Sequence, residues 1–203
     1  MLTKILKRRT GLVAGPMRSF GMTNQSIADL EQKYVTHNYA SFPVAIEKAE
    51  RIYVTDCEGR QYMDFMAGYS STNQGHCHPK VVKAAMDQIP RLTQTSRAFM
   101  NTHLGPFSEY ICNTLGFDKF LAMNSGVEAC ESAIKVARRW GYVVKGVEHD
   151  KASVIMMNGN FWGRSITASG ACDDETRYKN FGPFTPGFPL VDYNDVNAIE
   201  AYF

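Results

Sequence analysis

The chain has 203 residues, 44% of them apolar, 12% aromatic and 21% charged, the make-up of an ordinary globular domain able to bury a sizeable core. A formal net charge of +2 is too small to point to nucleic acid, and no apolar run approaches the length of a membrane span. A soluble protein acting on small molecules is the class that remains.

Before Asp29, the first acidic residue, come Lys4, Lys7, Arg8, Arg9 and Arg18, spread among Leu, Ile, Val, Ser and Thr. Residues 1–25 therefore read as a mitochondrial transit leader cut before Ser26, with a basic tail carrying no address as the alternative. A short helix is expected over residues 26–39, with Ser26 as its cap, Asp29 in its first turn and Ile27, Leu30 and Tyr34 on one face. Residues 43–46, 51–54 and 61–65 are short extended runs, the last two separated by a turn at Asp56 to Gly59, and predict a small antiparallel meander. Residues 68–75 are polar and rich in Gly, Ser and Asn, a segment that a core would not need.

His76-Cys77-His78 has metal-ligand chemistry. Adjacent residues on an extended segment point to opposite faces, however, and no second ligand cluster is nearby, so a metal site is not expected. A helix follows from Pro79, suited to a first turn, through Val82, Ala85, Met86 and Ile89, and stops at Pro90. Another spans residues 104–115. Cys57, Cys77, Cys112, Cys130 and Cys172 are odd in number and lack C-x-x-C spacing, which reads as reduced thiols in an intracellular compartment.

The stretch FLAMNSGVEACESAIKVARRW, residues 120–140, organises the rest. Residues 120–123 read as a buried strand, and Val127, Cys130, Ile134, Ala137 and Trp140 recur at helical spacing. A helix starting at the end of a strand turns free N–H groups and the positive end of its dipole toward one point, which suits a phosphate. Gly126 lets an anion approach closely, Ser125 can cap the helix, and Glu128 stands in the capping-box position. Neither a P-loop nor a G-x-G-x-x-G signature accompanies the turn, so a nucleotide reading is poor. Residues 153–157 predict a second strand, completing a parallel β-α-β unit. Residues 181–189 alternate Phe with Gly and Pro, which forbids regular structure. The last five residues, Ile199 to Phe203, fall in the middle of an expected helix.

Taken together, HNYASFPVAIEKAERIYVTDCEGRQYMDF, YSSTNQGHCHPKVV, TSRAF, the NSGVEACESAIKVARRWGYVVKG helix, GNFWGR and FGPFTPGFPLVDYND resemble the class III pyridoxal-phosphate aminotransferases, and within them the ornithine aminotransferases. The likeness covers roughly residues 34–203. It implies an α/β fold of the type I pyridoxal-phosphate transferases, a mainly parallel seven-stranded sheet flanked by helices, incomplete here and preceded by the small meander. On that basis residues 26–69 form an N-terminal segment and 70–203 a truncated cofactor-binding domain.

The resemblance also implies roles. Ser125, Gly126 and Val127 match the turn that binds the phosphate of pyridoxal 5'-phosphate, and Phe161 the aromatic that stacks on its ring. Arg164 matches the residue that pairs with substrate carboxylate. Gly163 and Trp162 beside it suggest a partly buried position, which a charge occupies only with an anionic partner. Tyr39 and Tyr69 match two substrate-pocket tyrosines, and Tyr69 stands where 4-aminobutyrate-type relatives carry an aliphatic residue. The implied reaction passes the δ-amino group of L-ornithine to 2-oxoglutarate, giving glutamate 5-semialdehyde and glutamate, in a homodimer or higher oligomer of the mitochondrial matrix, with the cytoplasm as the alternative compartment.

No catalytic residue is assigned, because the Schiff-base lysine of the family matches none of Lys135, Lys145 or Lys151. The chain is therefore expected to be the amino-terminal half of a longer enzyme and inactive alone. The alternatives are a short non-catalytic product that pairs with a full-length subunit, or an acetylornithine or 4-aminobutyrate aminotransferase.

Overall fold

The computed structural model describes residues 21–202, so the expected leader lies, as far as residue 20, outside the described residues. The chain divides into two compact units at Phe99/Met100.

The first unit opens with α1, Asn24–Tyr34, which starts two residues earlier than the sequence suggested. Thr23, not Ser26, is the cap. Its hydroxyl accepts from Ser26 N at 3.1 Å while Ser26 Oγ accepts from Thr23 N at 2.9 Å, a closed capping box with serine in the third position. The helix also ends early, at extended Val35, because β-branched Val35 and Thr36 followed by Asn38 favour other backbone geometry.

The antiparallel meander forms, but its first two strands lie later in the chain than the runs expected at 43–46 and 51–54. Strands β1 (Ile46–Glu50), β2 (Tyr53–Asp56) and β3 (Gln61–Met63) pair antiparallel in chain order, with Glu50 opposite Tyr53 and Tyr53 opposite Met63. Its anchor is the fully buried Asp56. The carboxylate accepts from Asn24 Nδ2 at 2.9 Å, Arg60 N at 2.8 Å, Arg60 Nε and Glu58 N at 3.0 Å, and the Tyr62 hydroxyl at 3.0 Å. Burial alone would push this carboxyl up. The bond from Asn24, then those from Arg60 and Tyr62, outweigh it and hold the group far below the usual carboxylate range.

Beyond β3 the chain makes α2, Ala67–Ser70, a left-handed turn with φ of +47°, +55°, +53° and +71° at Ala67, Gly68, Tyr69 and Ser70. For an L-residue this hand costs about 1–2 kcal/mol, because Cβ approaches the following carbonyl. Three non-glycine residues are thus held there by their surroundings. Helix α3, Pro79–Gln88, carries Pro79 at its start as expected.

The second unit begins with α4, Leu104–Leu115, closed by Gly116 in the left-handed conformation at φ +74°. Helix α5, Gly126–Val143, follows. Between them, the strand expected over residues 120–123 does not form: Phe120, Leu121 and Met123 are 37%, 69% and 40% exposed, and no strand pairs with them among the described residues. An apolar run becomes a strand only when a neighbour takes up its backbone groups, and here none does.

Of the expected parallel pair, only the end of the second strand, 153–157, forms, and it pairs with a later segment. Strand β4, Met156–Met157, sets Met156 beside Leu190 and Met157 beside Val191 of β5, Leu190–Val191. Short helices α6 (Ile166–Gly170) and α7 (Glu175–Tyr178) lie between these strands in sequence, and α8 (Val196–Glu200) follows. The expected helix at the last residues thus stops at Glu200, with Ala201 as its cap. Ala168, Ala171, Cys172 and Val191 form the small buried core. Residues 181–189 are irregular but packed. Phe184 fills the space that a side chain on Gly170 would need, and Arg138 of α5 donates to Pro186 O at 2.6 Å with its guanidinium 4.6 Å from the Phe188 ring centre. The result is a partial α/β domain with an incomplete sheet, its described strands divided between a three-stranded and a two-stranded ladder.

Candidate functional site

The first turn of α5 has the chemistry of an anion site. Ser125 is extended, at φ −144° and ψ 161°, and its hydroxyl accepts from Glu128 N at 3.4 Å. The Glu128 carboxylate turns back to accept from Asn124 N at 2.8 Å, one residue before the cap, so the expected capping box is displaced by one position. Gly126 and Val127, first in the helix, have no carbonyl four residues earlier within it to receive their N–H groups. A side chain built on Gly126 would meet nothing within 4 Å among the described residues, so there is open space beside this first turn. Two N–H groups and a hydroxyl whose hydrogen remains to be donated fit a phosphate monoester.

A second segment is pressed against this turn. Gly163 has φ +151°, and a β-carbon there would lie 2.3 Å from Val127 Cγ2 and 2.5 Å from its Cβ. The contact brings the loop of Phe161 and Arg164 to the start of α5. Asn160 secures the loop, its Nδ2 donating to Met157 O and Ala171 O, each at 2.8 Å. Phe161 is 60% exposed, and the Arg177 guanidinium stands 4.9 Å from its ring centre. Arg177 in turn donates to Asn160 O at 3.0 Å and pairs with Asp174, also at 3.0 Å. Hydrogen bonds from the Thr176 hydroxyl and backbone hold Asp174 below the ordinary carboxylate range. Arg164 is exposed, not partly buried as its neighbours suggested; the indole Nε1 of Trp162 beside it is buried and meets no acceptor among the described residues.

The two tyrosines singled out in the sequence come together in the first unit, hydroxyl to hydroxyl. Tyr69 is carried by the left-handed turn and Tyr39 by the segment after α1, where it lines a cleft of roughly 330 Å³. Asp64 and His76 were missed as a pair. His76 Nε2 lies 2.7 Å from Asp64 Oδ2, so the histidine that suggested a metal ligand has a carboxylate partner. Among the described residues no cluster of three or more His, Cys, Asp or Glu could hold a metal, and no helix is long and apolar enough to cross a membrane. Arg177 was also missed; the Asp-x-x-Arg spacing of residues 174–177 shows a capped turn but not the ring it would cover.

Comparison with known proteins gives the family. The family model described as aminotransferase class-III matches residues 34–202. A probable mitochondrial ornithine aminotransferase of Caenorhabditis elegans is 51% identical over 185 residues, covering 91% of this chain and 44% of that protein. The mitochondrial ornithine aminotransferase of Rattus norvegicus is 49% identical, covering 88% of this chain and 40% of that protein. The crystal structure of the ornithine aminotransferase from Toxoplasma gondii superposes with a TM-score of 0.86 at 48% identity, over 89% of this chain and 43% of that one. The chain thus spans about two-fifths of the length of these relatives.

Proposed function

Because the chain belongs to the class-III aminotransferases, we propose that it is the amino-terminal part of an ornithine aminotransferase, transferring the δ-amino group of L-ornithine to 2-oxoglutarate with pyridoxal 5'-phosphate as cofactor. The observation that carries this is the contact of Gly163 with Val127, which puts an aromatic and an arginine beside a phosphate-competent helix start.

Ser125, Gly126 and Val127 hold the phosphate through hydroxyl and N–H donors in the field of the helix dipole. Phe161 offers a flat apolar face for the ring, while Arg177 occupies a position over that same side chain. When bound, the cofactor supplies an electron-accepting ring for the carbon losing its proton. Arg164 meets a substrate carboxylate with its planar fork. Tyr39 and Tyr69, joined through their hydroxyls, bear on the choice of amino donor, with Tyr69 as the marker for ornithine.

No residue of this chain is assigned the covalent or proton-transfer step, so the chain alone is expected not to transaminate. A homodimeric full-length enzyme in the mitochondrion is the setting we propose, on the basic leader and on the mitochondrial relatives. The test is a donor panel on the full-length protein. Ornithine should be preferred over N-acetylornithine and 4-aminobutyrate, and preference for either of those overturns the assignment.

A further inference from the structure

On the reading of Tyr69 as a substrate-pocket residue, we propose that Asp64 and His76 are the positioning pair that holds the left-handed turn α2 and so sets where the Tyr69 phenol stands. The turn closes with local bonds, Tyr69 N to Met66 O and Thr72 N to Ala67 O, both 2.9 Å. Those bonds do not by themselves choose the disfavoured hand. Asp64 acts at the entry. Its Oδ1 accepts from Met66 N at 2.9 Å and Ala67 N at 3.0 Å, and its Oδ2 reaches His76 Nε2 at 2.7 Å.

Both members are tied to the meander. Asp64 N donates to Ile52 O at 2.8 Å, and His76 exchanges backbone bonds with Arg51 at 2.7 and 2.9 Å. Gly75 makes that approach possible, at φ +86°, since a β-carbon there would lie 3.2 Å from Arg51 O. Positions 64 and 76 therefore stand beside consecutive residues of one hairpin. Their side chains, 15% and 23% exposed, bridge the two ends of the excursion that carries Tyr69. Chain of this composition relaxes toward the right-handed region when released. Without the bridge, the contact with the Tyr39 hydroxyl remains at the apex, but the entry of the turn loses its tie to His76.

The role acts through the backbone, so its signature is displacement of the two phenols and not general loss of fold. Tyrosine rings are labelled with 13C in the chain, and the resonances of residues 39 and 69 are assigned with Tyr39→Phe and Tyr69→Phe. Asp64→Ala and His76→Gln should each move the remaining resonances of Tyr39 and Tyr69 while those of Tyr110 and Tyr142 stay in place. Unmoved Tyr39 and Tyr69 resonances in a folded variant overturn the proposal. Should Asp64→Ala fail to fold, the milder His76→Gln decides by the same criterion.

In the full-length enzyme the same variants should raise KM for the amino donor about tenfold or more with kcat changed little, the mark of misplaced substrate contacts. A uniform fall in kcat with KM unchanged assigns the pair a merely structural role and also overturns it. The substrate-pocket reading fails separately: Tyr69→Ile that leaves donor ranking unaltered removes that reading while the resonance result stands.

Discussion

The backbone of Gly163 lies so close to Val127 that a β-carbon at position 163 would sit 2.3 Å from Val127 Cγ2. Gly163→Ala must therefore move either the loop or the first turn of α5, in addition to occupying φ +151°. The expected cost is about 1–3 kcal/mol, the usual range for overpacking. Thermal unfolding of the chain measures it, and the paired Val127→Ala change should restore part of the loss.

Ser125→Ala removes the cap of α5 and one of the three proposed phosphate donors together. Loss of a cap costs about 1 kcal/mol of stability. The functional prediction is separable from that cost. Affinity of the full-length protein for pyridoxal phosphate should fall, whereas affinity for pyridoxal, which lacks the phosphate, should change little. Calorimetric titration with both compounds reads the difference.

Acid sensitivity should centre on Asp56. Its carboxyl is held lower in the folded chain than in the unfolded one, so the unfolded state binds the proton first. The network's stabilisation is therefore complete above the ordinary aspartate value and is lost as pH falls below it toward the depressed folded value. Asp56→Asn should lower stability at neutral pH and flatten the acid limb of the stability–pH curve, as followed by denaturant unfolding between neutral and strongly acid pH.

Arg177 and Phe161 should be coupled. A guanidinium over an exposed aromatic contributes about 0.5–1 kcal/mol. A double-mutant cycle with Arg177→Ala and Phe161→Leu should return a coupling of that size, and Arg177→Ala should also slacken cofactor affinity by freeing Asn160 O from its donor. Equilibrium unfolding gives the first quantity and cofactor titration the second.

Much of the local structure was legible because local chemistry decides it. Pro79 opens α3, Gly116 closes α4, and the Asp56–Gly59 turn folds the meander. Ser125 was readable as a cap for the same reason. The failures are non-local. Residues 120–123 have the pattern of a buried strand, but a strand needs a partner that no periodicity can supply. Thr23 outcompetes Ser26 as a cap because Asn24, next to it, is drawn onto Asp56 at 2.9 Å. Arg164 is exposed where a partly buried position was expected, since adjacent residues in a loop have no fixed inward face. In α2 only Gly68 hints at a positive φ, and the adjoining Ala67, Tyr69 and Ser70 follow from tertiary bonds that the sequence does not display.

The ladder between β4 and β5 has only two rungs, yet it closes the long span of chain holding α6 and α7. So few bonds offset little of the entropy of closing such a loop, which grows with its length. The guanidinium of Arg138, seated on Pro186 O and Phe188, acts as a clasp that keeps the returning chain in register just before Leu190 enters the ladder. With that clasp undone the rungs fray, and the amides of Met156 and Asn158, which donate across the ladder, exchange with solvent deuterium faster than in the intact chain.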